Sequence, residues 1–376
     1  MKIAVCSSTR ADWGLLSPLC AELRRRGADV GVIASNMHFL AAGGNTIEEI
    51  RADGFEPIAS IPPGEDAAAT MSRQLDATFR ALTEFAPECV VILGDRYEML
   101  GAASAAVLAR VPIVHIAGGT ISEGAFDDSF RHAISKLATL HFPETEACAA
   151  RLVRMGEDPS RVITAGAIGV YNLGSVRLMT KDELEASIGW ELRSPVVLAT
   201  LHAATLAPES PEDQMQALLD ALASRPDLRV LLTHPNNDVD PAPLVARMEA
   251  FAAANSDRVR IVPSLGRVRY LSALKYVDAV VGNSSSGLVE VPSAGIPTLD
   301  IGIRQKGREA GRSVVHCGGS AAEISAGLDA VLSDEMRRVA RTSDNPYARP
   351  DTLSVMADAI LNSPFSPTAL KPFYSN

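Results

Sequence analysis

The chain has 376 residues and a formal net charge of −10, with 47% hydrophobic residues and only 5% aromatic ones. This length exceeds that of a usual single domain and predicts two domains, each large enough to bury its own core. The negative charge argues against nucleic acid and against an anionic membrane as partners. The five scattered cysteines form no Cys-x-x-Cys pair, which fits reduced thiols in a cytoplasmic protein.

Strands and helices alternate along the first half of the chain. Apolar runs predict strands at residues 2–6, 29–34, 90–93, 112–116, 140–142 and 162–164, and helical spacing predicts helices at 12–25, 97–109, 130–138 and 144–155. The apolar tract 99–117 contains Arg110 and Pro112, so we interpret it as helix, turn and strand and not as a membrane span. The alternation predicts a mostly parallel sheet with helices on both faces.

A second alternating series follows Ser194-Pro195. It has predicted strands at 196–200, 229–233, 259–262, 279–281, 298–300 and 313–316, and predicted helices at 212–223, 241–254, 267–276, 288–294, 321–332 and 352–361. We therefore predict an α/β protein of two Rossmann-like, doubly wound domains at 1–168 and 194–350, joined by a linker at 169–193. The C-terminal helix and tail at 351–376 could pack back on the first domain. Ligands of such folds bind at the C-terminal ends of the strands, so we expect the site in a cleft between the domains.

Residues 282–290, called the serine loop below, join a predicted strand to a predicted helix. The small residues, among them Ser284 and Ser285, leave backbone N–H groups uncovered, and the helix start adds partial positive charge. Such a place suits a phosphate. Glu290 could accept hydrogen bonds from sugar hydroxyls. The alternative is an ordinary helix capped by serine.

Three arginines after predicted strands are candidates for binding an anion. Arg10 follows the first strand, while Arg304 and Arg308 lie in residues 302–308, a glycine-punctuated segment called the arginine loop below. Arginine forks can grip a diphosphate in two-point hydrogen bonds. The alternative for all three is solvated surface charge.

Carboxylates and one histidine are candidates for acid–base chemistry. Asp95 directly follows a predicted strand and Gly94, where it could also cap a helix or pair with Arg96. Glu123, Asp127 and Asp128 lie in a stretch dense in titratable groups, and paired carboxylates can differ in pKa as acid–base catalysis requires. Asp127 or Asp128 could instead cap the helix predicted from residue 130. His202, after a predicted strand, is either a general acid or base or a buried structural histidine.

Several common motifs are missing from the sequence. No Gly-x-Gly-x-x-Gly follows the first strand, and neither a Walker loop nor Gly-x-Ser-x-Gly occurs. These absences disfavour a tightly held dinucleotide, ATP hydrolysis and a hydrolase with a nucleophile elbow. No spacing of His, Cys and carboxylates predicts a metal site.

In sequence order, the motifs resemble those of the UDP-N-acetylglucosamine 2-epimerase family, and in particular its hydrolysing branch. The resemblance spans nearly the whole chain. It rests on Ser-Thr-Arg-Ala-Asp-Trp-Gly-Leu-Leu at 8–16, Gly-Asp-Arg-Tyr-Glu at 94–98, the stretch 115–132, the serine loop, and Gly-Ile-Arg-Gln-Lys-Gly-Arg at 302–308. The last motif favours the hydrolysing branch over the reversible epimerases.

The resemblance implies a glycosyltransferase-B-like pair of domains that binds a UDP-sugar without a metal or redox cofactor. It also implies a cytoplasmic homo-oligomer, either a dimer or a tetramer. The implied diphosphate ligands are Arg10, Ser284, Ser285 and Arg304, the implied ribose ligand is Glu290, and His234 lies where the family contacts the nucleotide. We add Arg96 and Arg308 to the substrate-binding residues. The implied acid–base positions are Asp95, Asp127, Asp128 and His202. Glu123 is a candidate to replace a family glutamate at the position where this chain has Ala117.

Two positions depart from the family pattern. Reversible epimerases have a glutamate two residues after the strand histidine His115, where this chain has Ala117. Many hydrolysing relatives have an acidic residue where this chain has Thr120. The first difference argues against reversible epimerisation, and the second bears on the choice of substrate.

The sequence therefore predicts a hydrolysing 2-epimerase that converts UDP-N-acetylglucosamine to N-acetylmannosamine and UDP through a 2-acetamidoglucal, for the synthesis of sialic-type nonulosonic acids. The first alternative is the corresponding enzyme for UDP-2,4-diacetamido-2,4,6-trideoxyglucose, on the legionaminic acid route. The second is a glycosyltransferase of the same architecture. A third is a protein that binds nucleotide sugars without catalysis.

Overall fold

A computed structural model describes residues 1–40, 45–123, 125–204, 206–236, 240–366 and 371–375. The chain divides into two compact units. Unit 1 contains Met1–Thr120, Asp127–Tyr171 and Arg349–Asn376, and unit 2 contains Ile121–Phe126 and Asn172–Ala348. The short segment Ile121–Phe126 thus belongs to unit 2, although the residues on both sides of it belong to unit 1.

Unit 1 is built on a parallel sheet of six described strands. They are β1 (Lys2–Ser7), β2 (Asp29–Ser35), β3 (Pro57–Ile61), β4 (Cys89–Leu93), β5 (Ile113–Ile116) and β6 (Leu140–Phe142). Their order in the sheet is β3-β2-β1-β4-β5-β6, which is the order of the Rossmann fold. Strand β5 is buried along its whole length, as expected for a sheet covered on both faces.

The helices of unit 1 lie between these strands, with one addition from the C-terminus. They are α1 (Arg10–Arg25), α2 (Ile47–Ala52), α3 (Ala67–Phe85), α4 (Tyr97–Leu108), α5 (Asp127–Leu137) and α6 (Glu146–Arg154). Helix α7 (Ile168–Ser175) contains the boundary between the units. The C-terminal helix, at Thr352–Asn362, packs against α1, and its Leu353, Met356 and Ile360 join the core of unit 1.

Unit 2 repeats the same connectivity. Its described strands are β7 (Val196–Thr200), β8 (Arg229–Thr233), β9 (Val259–Val262), β10 (Ala279–Gly282), β11 (Thr298–Ile301) and β12 (Val314–Cys317). They are parallel in the order β12-β11-β10-β7-β8-β9, which is the Rossmann order when counted from β7. The helices are α8 (Lys181–Ile188), α9 (Pro211–Ala223), α10 (Ala242–Ala254), α11 (Gly266–Ala273), α12 (Ser286–Val289), α13 (Ala321–Val331) and α14 (Asp334–Arg341). The C-terminal helix at Thr352–Asn362 is α15.

The prediction of two Rossmann-like, doubly wound units is confirmed. Residues 169–193, predicted as the linker, contain most of α7 and all of α8. The strand predicted at 162–164 is wrong, because only an isolated bridge joins Val162 to His141. Helix α3 was not predicted individually, since the side chains that it buries include the polar Thr70, Gln74 and Thr78 and give weak apolar periodicity.

Helix α5 begins three residues earlier than predicted, at Asp127 instead of residue 130. Asp127 and Asp128 therefore lie in its first turn, where carboxylates are favoured by the unpaired N–H groups and the helix dipole. In the part of the chain that the structure describes, no helix is long and apolar enough to span a membrane.

Gly282, the last residue of β10, permits an unusually close approach between two strands. Its φ of +136° is a conformation that L side chains rarely adopt, and a Cβ atom there would lie 1.8 Å from the carbonyl oxygen of Thr200 in β7. The close contact places the serine loop directly beside the chain that leaves β7. This position requires glycine.

We expect Gly282→Ala to lower the free energy of unfolding by about 3 kcal/mol or more, because strained backbone and overpacking both contribute. Chemical denaturation followed by circular dichroism measures the change. The matched control is Gly174→Ala in α7, where a Cβ meets nothing within 4 Å; it should be neutral or stabilise by up to about 1 kcal/mol. Equal effects of the two substitutions would contradict the steric argument.

Candidate functional site

The strand order of each sheet reverses at one place, which is where doubly wound folds bind their ligands. In unit 1 the reversal lies between β1 and β4, and in unit 2 it lies between β7 and β10. The chain segments that leave these four strands carry Arg10, Asp95, His202 and the serine loop. The topology thus brings several of the predicted site residues to one edge in each unit.

In unit 2, the side-chain amide of Asn283 joins the two chain segments at the reversal. Its Oδ1 accepts a hydrogen bond from the backbone N–H of His202 at 2.7 Å, and its Nδ2 donates to the carbonyl oxygen of His202 at 2.8 Å. Asn283 is buried, and its own carbonyl oxygen accepts from Gln305 Nε2 at 2.8 Å and from Arg304 Nη1 at 3.2 Å. One buried residue therefore fixes His202, the serine loop and the arginine loop together. Asn283 was not among the predicted site residues.

The ring of His202 is held in its neutral form. Its Nδ1 accepts a hydrogen bond from the backbone N–H of Asn236 at 3.0 Å, which places the ring proton on Nε2. Burial, with the nearby Arg304 adding a smaller effect, lowers the pKa of His202 to about 3. A neutral ring with this tautomer can donate a hydrogen bond from Nε2 but offers no free nitrogen to act as a base.

The serine loop contains less helix than predicted. A single turn, α12, covers Ser286–Val289 and is followed by a 3-10 helix at Val291–Ala294, instead of one helix over 288–294. Pro292 has no N–H group to continue the α-helical hydrogen bonds. The dipole of one turn is small, so Ser284 and Ser285 depend on hydroxyl and backbone N–H groups for any anion binding. Tyr270 and Ser286 share a hydrogen bond of 2.5 Å between their hydroxyl oxygens.

In unit 1, the buried guanidinium of Arg131 plays the corresponding role. Arg131, in α5, forms an ion pair with Asp95 and donates from Nη1 to the carbonyl oxygen of Ala117 at 3.1 Å. Ala117 has a φ of +61°, which turns its carbonyl oxygen toward α5. The chains leaving β4 and β5 are thereby tied to the helix that carries Asp127 and Asp128.

Asp128 has a neighbour on the same helix. His132 lies one turn later, and its Nε2 is 3.3 Å from Asp128 Oδ2. Neither Arg131 nor His132 was among the predicted site residues. Their spacing of four residues after Asp127 and Asp128 was the signal that could have found them, because such pairs share a helix face.

Arg96 and Arg10 both have acidic partners. Arg96 Nε donates to the buried Glu98 at 2.7 Å, and Asn36 Nδ2 donates to the same carboxylate oxygen at 2.8 Å. Burial alone would raise the pKa of Glu98, but Arg96 and Asn36 together lower it, so Glu98 is held as an anion. Arg10 is paired with Glu49 at 2.8 Å, and both side chains are about two-fifths exposed. An anionic ligand of Arg10 would have to compete with that carboxylate.

The arginine loop contacts the segment Ile121–Phe126. Arg308 donates to the carbonyl oxygen of Ile121 and to the hydroxyl of Ser122, while Lys306 pairs with Glu123 at 3.0 Å. Glu123 is therefore placed beside the arginine loop of unit 2.

Two further positions from the sequence are located by the structure. His234 follows β8, its backbone N–H donates to Pro263, and partial burial lowers its pKa, opposed by Glu249. Thr120 is buried, and its hydroxyl lies 3.6 Å from Cys148 Sγ. An acidic residue at position 120 would bring a charge into this buried position.

Within the described residues, no group of three or more His, Cys, Asp and Glu side chains could hold a metal ion.

These features define a class of protein with two Rossmann-like units. Carboxylates and a histidine follow the strands of unit 1, and an arginine and serine hydroxyls follow the strands of unit 2. A family model described as UDP-N-acetylglucosamine 2-epimerase matches residues 21–361. The chain therefore belongs to the UDP-N-acetylglucosamine 2-epimerase family. The resemblance inferred from the sequence is confirmed.

Similar proteins include two hydrolysing enzymes. The chain is 34% identical over 314 residues to a GDP/UDP-N,N′-diacetylbacillosamine 2-epimerase (hydrolyzing) of Campylobacter jejuni, covering 82% of each chain. It is 33% identical over 340 residues to the UDP-N,N′-diacetylbacillosamine 2-epimerase (hydrolyzing) of Legionella pneumophila, covering 88% of this chain and 87% of that one. The crystal structure of UDP-GlcNAc 2-epimerase from Neisseria meningitidis bound to UDP-GlcNAc has the same fold, with a TM-score of 0.82 and 16% identity over 96% of this chain and 100% of that chain.

We expect the His202 ring not to titrate between about pH 5 and pH 8, the range in which an unperturbed histidine changes charge. Its pKa near 3 keeps the folded form neutral throughout this range. Because the unfolded chain takes up the proton first, stability should fall as the pH drops below the usual value of 6.5. Nitrogen-15 NMR of the imidazoles measures the charge state.

His316 is the internal control for this titration. Its hydrogen bond to Asp300 raises its pKa, so its signals should move in the same spectra. A His202 midpoint near the ordinary value would show that the ring is able to act as a base.

Proposed function

We propose that this protein is a hydrolysing 2-epimerase that converts a UDP-2-acetamido sugar and water into UDP and the free sugar inverted at C2. Family membership supports chemistry on UDP-sugars. The observation on which the proposal mainly depends is the cluster in unit 1, where Arg131 links Asp95 to the helix that carries Asp128 and His132. The reaction needs a carboxylate near C1 and further groups that exchange a proton at C2. Asp95 is the candidate for the first, and the Asp128–His132 pair is a candidate for the second.

The chemistry proceeds in two stages. The proton at C2 is not adjacent to a carbonyl group, so its direct removal would be slow. In the proposed first stage, the bond between C1 and the diphosphate oxygen breaks, UDP leaves with the electron pair, and a base takes the C2 proton to give a 2-acetamidoglucal. In the second stage, water adds its hydroxyl to C1, and an acid delivers a proton to the opposite face of C2. The sum is one water consumed and one UDP released.

Unit 1 supplies the acid–base groups in this proposal. The Asp95 carboxylate, held by Arg131, stabilises the positive charge that develops at C1 as UDP departs. Asp127, Asp128 and His132 are the candidates for removing and delivering the C2 proton, because the first turns of α5 hold them together.

Unit 2 supplies the groups for the leaving nucleotide. Arg304 and the hydroxyls of Ser284 and Ser285 are the proposed diphosphate ligands, and Glu290 is the proposed ribose ligand. The neutral His202 fits a hydrogen-bond donor to the developing negative charge and not the base. We retain Arg10, Arg96 and His234 as further substrate contacts.

The names of the relatives favour the second of the two predicted substrates. N,N′-diacetylbacillosamine, named for both hydrolysing relatives, is 2,4-diacetamido-2,4,6-trideoxyglucose. We therefore propose its UDP derivative as the first substrate to test. UDP-N-acetylglucosamine is the second, because the family as a whole is described by it. In either case the free C2-inverted sugar would serve the synthesis of a nonulosonic acid, in a cytoplasmic homo-oligomer.

Incubation of each UDP-sugar with the protein in deuterated water should distinguish the candidates. We expect one substrate to give UDP and a free C2-inverted sugar with deuterium at C2, because the proton at C2 is exchanged during the reaction. NMR of the product measures the label. An intact substrate in both cases would contradict the proposal, and release of sugar only when an acceptor is added would indicate a glycosyltransferase.

We expect Asp95→Asn to lower kcat about a hundredfold or more while leaving the affinity for UDP within about twofold, because in the proposed mechanism the charge acts on the sugar and not on UDP. Steady-state kinetics and calorimetry with UDP measure the two quantities, and a thermal melt shows whether the variant remains folded. The control is Glu146→Gln, which breaks an exposed pair with Arg349 in the same unit and should change neither quantity. Near-wild-type turnover of Asp95→Asn would remove Asp95 from the mechanism.

A further inference from the structure

The segment Ile121–Phe126, called the crossing segment here, is held by unit 2 although its neighbours at both ends belong to unit 1. It leads directly into α5, whose first two residues are Asp127 and Asp128. The arginine loop holds it, and the same loop carries Arg304. The arginine loop, which carries a proposed nucleotide ligand, thus contacts the segment that directly precedes α5.

Arg308 makes the strongest of these contacts. Its Nε donates to the carbonyl oxygen of Ile121 at 3.0 Å, and its Nη2 donates to the hydroxyl of the buried Ser122 at 2.8 Å. Two donors of the guanidinium fork are therefore engaged by protein atoms. A diphosphate could not use the same two donors without releasing the crossing segment.

Close packing and a charge pair add to the contact. Gly307 has a φ of +87°, and a Cβ atom there would lie 2.9 Å from Ile121 and 3.2 Å from Glu123. The backbone N–H of Glu123 donates to the carbonyl oxygen of Lys306 at 3.4 Å, and the two side chains form an ion pair at 3.0 Å. The ion pair is largely exposed, so we expect it to contribute less than the Arg308 contacts.

We propose that Arg308, Ser122 and the Lys306–Glu123 pair are positioning residues, which fix the crossing segment and through it the start of α5. This inference rests on the proposed function, because it assigns the contact a role in turnover. In this proposal, Arg308 positions α5 and does not bind the diphosphate. Glu123 anchors the crossing segment and is not a catalytic carboxylate.

The first test compares Arg308→Gln, Ser122→Ala and the double variant, with either UDP-sugar that the wild-type protein turns over. Each single variant should lower kcat about tenfold, since a hydrogen bond to a charged group is lost. The double variant should be no less active than Arg308→Gln alone, because Arg308→Gln already removes the hydrogen bond to Ser122 together with the one to Ile121. Calorimetry should show the affinity for UDP unchanged within about twofold, and thermal melts should show folded proteins.

If Arg308 binds the diphosphate instead, Arg308→Gln should weaken UDP binding about tenfold or more, while Ser122→Ala leaves kcat unchanged. That result would overturn the positioning role. A wild-type protein that neither binds UDP nor turns over either sugar would overturn the proposed function itself. Active wild-type protein with unaltered variants would overturn the positioning role alone.

The second test separates an anchoring Glu123 from a catalytic one by reversing the ion pair. Glu123→Lys should lower kcat a few-fold, as expected for an exposed pair turned repulsive, and adding Lys306→Glu should restore it. A catalytic carboxylate could not be rescued in this way, so failure of the rescue would overturn the anchoring role. The control exchanges Lys181 and Glu185, an ion pair on α8 of the same unit, and should leave kcat unchanged.

Discussion

The arrangement of unit 2 depends on one buried amide. Asn283 uses both ends of its side chain on the backbone of His202, and its carbonyl oxygen receives the side chains of Arg304 and Gln305. A buried amide that loses these partners leaves polar groups unsatisfied on two neighbouring segments, which is costly. The serine loop, His202 and the arginine loop therefore adopt one common arrangement.

In unit 1, a charged side chain instead of an amide connects the chain segments that follow neighbouring strands. Arg131 joins Asp95 and the carbonyl oxygen of Ala117 to α5. A buried guanidinium is tolerated only with such partners, so the Asp95 carboxylate supports the folded state, and in the proposed mechanism it also acts on the sugar. Because one residue serves both purposes, substitutions of Asp95 need a folding measurement beside the kinetic one.

The sequence predicted the strands far better than the contacts between loops. Apolar runs gave most strand bounds within one or two residues. The reversal of strand order lies beside the strands that Asp95 and His202 follow, which is where doubly wound folds bind their ligands. Asn283 could not be recognised, because its partner lies 81 residues away in the sequence and an amide gives no pattern. Arg131 and His132 could have been recognised from their helical spacing. The partners of Arg308 could not, since Ser122 and Ile121 lie 186 and 187 residues away in the sequence.

The position of Ala117 connects the fold to the direction of the proposed reaction. Reversible epimerases resembling this chain have a glutamate there, whereas here the side chain is a methyl group and the carbonyl oxygen is bound to Arg131. A carboxylate is thus missing at position 117, while Asp127, Asp128 and His132 lie together on α5. In the proposed mechanism this leaves addition of water to the glycal as the second stage, in place of the return of UDP to C1. The start of α5 is then central to the proposed reaction, and the contacts of Arg308 with Ile121 and Ser122 lie in the segment that directly precedes it.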